Sequence, residues 1–153
     1  MIPPNKTKAV AIVAIVVFAI TAQIYAQQKP SITLNTAALL NGLSLVSEGR
    51  VVADRKGAWQ QDRPSRSKEN EFIRNHGIEE YGKWHLGIDN RYSPRSKAHY
   101  KFPFGDFSGL HRCGLLAVEA RARQYGYRDI EAAAIQLIAD LESARPRAQK
   151  RID

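Results

Sequence analysis

The sequence predicts a mainly α fold: a small helical domain with one short extended segment or hairpin, preceded by an N-terminal hydrophobic helix. Three observations lead there. Apolar residues recur at spacings of three and four along residues 36–48, 108–125 and 129–141, as on helices that bury one face. Only residues 98–107, AHYKFPFGDF, alternate with a period of two. Ala9–Ile20 is an unbroken apolar run. With 153 residues, 44% hydrophobic and 25% charged, the chain has the make-up of about one globular domain, not of a disordered, collagen-like or multi-span protein. The single cysteine, Cys113, excludes an intramolecular disulfide framework and a cysteine-rich zinc module.

Taken in order, the first element is the apolar run. Lys6 and Lys8 precede it, and no acidic residue occurs before Glu48. A positive start and a twelve-residue hydrophobic stretch match a secretory signal peptide ending near Ala26. Ile24 stands where a small residue is preferred before cleavage, so an uncleaved membrane anchor is the alternative; Ala9–Ala26 is 18 residues, at the short end of the span of about 17–25 that crosses hydrocarbon. Residues 1–26 are thus a signal peptide or anchor, and residues 9–26 would place the rest on the periplasmic or extracytoplasmic side of a bacterial inner membrane.

Residues 27–35 read as a linker and residues 36–143 as the domain. Asn35 caps a helix to Glu48 with Leu39, Leu40, Leu43 and Val46 on one face and Gly49 beyond its end. Residues 54–67 read as a polar loop anchored by Trp59, followed by a short helix over 68–75 and another over 78–86, where Ile78, Tyr81 and His85 share a stripe. In the extended segment, Pro103 makes it an edge strand or an isolated extended piece rather than a central strand. Ser108 then caps a helix to Tyr125 that buries His111, Leu115, Val118, Ala122 and Tyr125. Asp129 caps the last helix, whose Ile130, Ala133, Ala134, Leu137, Ile138 and Leu141 form the clearest apolar face. A basic tail occupies residues 144–153.

Candidate chemistry is sparse. Four histidines and one cysteine invite a metal, but the chain has no HExxH and no CxxC, and residues two apart on a helix diverge, so His111 and Cys113 are not expected to share an ion. Cys113 reads as a small buried hydrophobe. Glu79 and Glu80 suit a helix start, and Asp106 suits a turn fixed by its own side chain. The sequence has no triad signature, nucleophile elbow, P-loop or dinucleotide fingerprint, so no catalytic residue, metal site or cofactor is assigned. The most distinctive feature is a cluster of aromatic and basic residues, in which Lys101, Arg112, Arg121 and Arg123 are the expected contact residues.

Between about Tyr81 and Glu142 the chain resembles a small family of uncharacterised bacterial proteins, related segments of which also occur beside or within phage prohead-protease-type proteins. The matching pieces are WHLGID (Trp84–Asp89), SKAHYKFPFGDF (Ser96–Phe107), HRCGLLAVEARARQYG (His111–Gly126) and DIEAAAIQLI (Asp129–Ile138), under half the chain. The resemblance implies a compact accessory module and carries over no catalytic residue.

Lysines and arginines number 23 against 15 acidic residues, a net charge of +8, of which residues 27–153 keep +6. Outside the cytoplasm such an excess points to another protein or an anionic membrane surface, with nucleic acid the weaker alternative and no small-molecule substrate indicated. The expected function is therefore a non-enzymatic, extracytoplasmic accessory protein that binds a partner through a basic, aromatic surface. The alternatives are a membrane-tethered module associated with nucleic acid, and a small hydrolase using Cys113 with His111 or His99.

Overall fold

The structure is a computed structural model and describes residues 31–144. Ile32–Leu34 forms strand β1, and Asn35 turns the chain into helix α1, Thr36–Ser47. The Asn35 side chain accepts from the Ala38 N–H at 3.4 Å and donates to the carbonyls of Gly82 and His85 at 2.9 and 3.0 Å. One buried amide thereby caps a helix and holds a distant chain segment. Gly49, at φ 70°, makes the left-handed exit that its lack of a Cβ permits. Strand β2 (Val51–Val52) and the single turn α2 (Trp59–Asp62) follow. Helix α3 (Arg66–His76) is capped by Ser65 and leads into α4 (Ile78–Gly82).

Strand β3 (His85–Asp89), a 3₁₀ turn at Lys97–His99, β4 (Tyr100–Pro103) and β5 (Leu110–His111) lead to the two longest helices. These are α5 (Arg112–Tyr125), stopped by left-handed Gly126, and α6 (Arg128–Ala144). One sheet has the order β1-β3-β4, antiparallel throughout; the other is the parallel pair β2-β5.

The mainly helical expectation is corrected: 58% of the described residues are helical and 15% lie in strands, a mixed α/β fold with six helices and two sheets. The error centres on WHLGID. Ile78, Tyr81 and His85 fit a helical stripe, yet the helix ends at Gly82 and His85–Asp89 is the central strand of its sheet. Four of its five residues are buried, so it lacks the alternation that marks a half-buried strand. The linker likewise contains β1, and β2 and β5 are too short to show any period.

A transmembrane helix is also corrected: among the described residues, no helix is long and apolar enough to cross a membrane. The apolar run at 9–26 and residues 145–153 of the basic tail lie outside the described residues.

The core fills the space between the three-stranded sheet and helices α1, α5 and α6. Leu45, Leu86, Phe104, Leu110, Leu115, Ile130, Leu137 and Leu141 are all essentially inaccessible there. The face expected for α6 is the one it buries, apart from half-buried Ile138. On α1 the buried face is Ala38, Gly42, Leu45 and Val46, whereas Leu40 is 61% exposed. Gly87 lets the sheet meet its neighbours closely, because a Cβ there would lie 2.6 Å from the Phe102 ring.

Candidate functional site

Two features carry chemistry: a buried cluster at the start of α5 and a groove beside β4. The cluster depends on the backbone just before α5. His111 precedes the helix in extended conformation, φ −99° and ψ 125°, and Cys113 is the second helical residue. In extended chain, residues two apart share a side, so the helical argument that separated His111 from Cys113 does not apply here. Asp54, from the segment after β2, meets both. Its Oδ1 accepts the Cys113 N–H at 2.6 Å, supplying a cap to α5 from a distant part of the chain. Its Oδ2 accepts from the His111 Nδ1 at 2.8 Å and from the Cys113 thiol at 2.6 Å.

Asp62, at the end of α2, brings an Oδ2 to 4.0 Å from the sulfur. Asp54, Asp62, His111 and Cys113 thus offer one donor atom each, all within 4.8 Å of one another. On the far side of the ring, His111 Nε2 is buried without a hydrogen-bond partner and lies 3.5 Å from Asp106 Oδ2. Asp106 is itself held by the Ser108 N–H and hydroxyl and the Gly109 N–H, the turn expected of it. Those hydrogen bonds outweigh burial and bring its carboxyl down to about 2.

Burial and the neighbouring Asp54 and Asp62 carboxylates push the Cys113 thiol up to about 12. The thiol is a donor here, and almost none of it is thiolate at neutral pH. That chemistry disfavours the cysteine-hydrolase alternative. His99 lies elsewhere, its Nδ1 against the carbonyls of Asp89 and Tyr92 at 3.0 and 2.9 Å.

The groove has a volume of about 550 Å³. Trp59, Phe102, Tyr125 and Tyr127 supply aromatic walls, and Arg63, Lys101 and Arg121 supply cations. A smaller cleft of about 250 Å³ continues past Arg63, Lys101, Phe102 and Pro103 toward Tyr81 and Tyr100. Phe102 has φ 63°, a left-handed conformation rare for a bulky residue, and its ring meets Tyr127 edge-on at 5.8 Å. Such a conformation costs on the order of 1–3 kcal/mol and persists only where the surroundings hold it.

The four expected contact residues separate. Lys101 and Arg121 line the groove, over the Tyr92 and Tyr125 rings at 5.1 and 5.7 Å. Arg112 instead donates to Glu142 at 2.8 Å, and Arg123 donates to Glu119 and Glu131 at 2.7 and 2.6 Å. Among the described residues, Arg63, Lys101 and Arg121 form no ion pair. Arg63 is not among the expected contact residues, because polar residues 54–67 carry no apolar periodicity; Trp59 is the one signal in the sequence that this segment packs on something.

No family model matches the chain, and no curated protein or solved structure matches it.

Proposed function

We propose that this is a non-enzymatic, extracytoplasmic partner-binding protein whose groove receives an acidic, extended segment of another protein carrying an apolar side chain. The observation that supports this is the set of three cations, Arg63, Lys101 and Arg121, which form no ion pair among the described residues and surround an aromatic-walled groove. The positive charges would select an acidic sequence and hasten its encounter, while the rings supply a low-entropy apolar surface. The groove runs beside β4, which lies at the end of the strand order of its sheet. An extended ligand suits such an edge.

The test is titration of the full-length protein with Glu-rich synthetic peptides carrying one phenylalanine, read by the fluorescence of Trp59 in the groove wall. Trp59→Phe identifies which part of the signal is its own. Binding should weaken steeply as salt rises. Lys101→Glu or Arg121→Glu should weaken it by about tenfold, and Arg123→Ala should leave it unchanged. Affinity indifferent to salt and to both charge reversals overturns the proposal. So does preferential binding of a single-stranded oligonucleotide, which would favour nucleic acid.

A further inference from the structure

We propose that Asp54, Asp62, His111 and Cys113 form a tetrahedral Zn²⁺ site that fastens the segment between β2 and α3 to the beginning of α5. The donor set is one imidazole, one thiol and two carboxylates, which suits zinc better than soft Cu(I) or the all-oxygen preference of Mg²⁺ and Ca²⁺. Bonds of about 2.0–2.3 Å hold tetrahedral ligands about 3.4–3.7 Å apart. The four donor atoms span separations from 2.6 Å to no more than 4.8 Å, so small side-chain rotations reach that geometry.

Each donor has a distinct place. Asp54 Oδ1 is occupied by the Cys113 N–H, which leaves Oδ2 as the ligating oxygen and fixes its direction. His111 Nδ1 and the Cys113 sulfur both already point at that oxygen. Asp62 is exposed, and it supplies the open side by which an ion enters.

A second observation lies on the far side of the same ring: His111 Nε2 is a buried nitrogen without a hydrogen-bond partner, on a side chain that is 8% exposed. With the ring proton on Nδ1 toward Asp54, Nε2 is a bare acceptor facing the Asp106 carboxylate, so two acceptors oppose each other. With an ion on Nδ1, the ring proton moves to Nε2 and is directed at Asp106 Oδ2, 3.5 Å away. This is the carboxylate–histidine–metal arrangement that orients metal-binding imidazoles. The proton balance is then simple: the ring keeps one proton, the thiol loses one, and each Zn²⁺ bound releases a single proton to solvent.

Besides the cluster, the segment is held chiefly by Trp59, whose ring lies against His111, and by buried Pro64. Between Ala53 and Arg63 only Asp54, Ala58 and Trp59 are more than marginally covered. Four protein ligands with no vacant position make the ion a structural staple.

The experiment strips the full-length protein with a chelator and titrates it with Co²⁺. One equivalent per chain should bind, with tetrahedral d–d bands in the visible and a thiolate-to-cobalt charge-transfer band in the near ultraviolet, all displaced by Zn²⁺. Cys113 is the only thiol in the chain, so that band reports on it directly. Cys113→Ser should abolish the charge-transfer band. Because substitutions at buried positions can disturb folding, Asp62→Asn provides the second arm: wild-type circular dichroism with Co²⁺ affinity reduced at least about tenfold. Folded wild-type protein that takes up no Co²⁺, binds it without the thiolate band, or binds half an equivalent overturns the site.

Discussion

His85 and Asp89 stand at the two ends of β3, both buried, and their surroundings act on them differently. Burial pushes the His85 imidazole from 6.5 down to about 4, against the opposing hydrogen bond to the Tyr81 carbonyl. Arg91, donating twice to Asp89 at 2.9 and 2.8 Å, outweighs burial and holds that carboxyl at about 2, below its usual 3.8. Both groups bind protons less readily folded than unfolded, so both destabilise the fold in acid. The His85 contribution is complete above pH 6.5 and lost as pH falls through about 4; that of Asp89 is complete above 3.8 and lost as pH falls through about 2. Urea denaturation across pH should show stability declining in these two windows, and Arg91→Ala should flatten the lower one. A flat profile between pH 6.5 and about 4 would refute a neutral buried His85. The same scale shows what a sequence conceals. The spacing of His111 and Cys113 is plain, but whether two residues apart means opposed or adjacent depends on one ψ angle at the helix entrance, and Asp54 arrives from 57 residues earlier.

Helix α5 approaches the Phe104 backbone closely because its third residue is a glycine. A Cβ on Gly114 would lie 2.8 Å from the carbonyl oxygen of Phe104 and 3.1 Å from its Cα, contacts with backbone that cannot swing aside. Gly114→Ala should therefore cost about 1–3 kcal/mol by chemical denaturation. Gly42→Ala, which meets the pliable end of Leu137, should cost less. Elements differ in how well they could be read. Helix α6 was legible because one face alone is apolar over 17 residues and a short loop precedes it. The caps at Asn35 and Gly126 and the edge strand at Pro103 were legible because each answers a local backbone requirement. Strand β3 was not, since a strand buried on both sides carries no alternation, and its partners β1 and β4 flank it from opposite directions in the chain. The groove was half legible: Lys101 and Arg121 stood out as cations among aromatics, but nothing in one dimension tells which arginines have found a glutamate.

Across the whole molecule, the order of the sheet strands has a consequence in time. Ile32 pairs with Asp89, and Val51 pairs in parallel with Leu110, so neither sheet can be completed from neighbouring residues, although β3 and β4 lie close in sequence. Closing such loops costs entropy before any pairing compensates for it, and folding slows as contacts become more distant in sequence. Stopped-flow refolding should accordingly run in milliseconds or longer, well behind the microseconds of a helical bundle of this size. During synthesis β1 emerges more than fifty residues ahead of the strand it needs. Until β3 follows, Ile32 and Leu34 remain an unclaimed edge, and the nascent chain stays open for as long as it takes to make a third of its length.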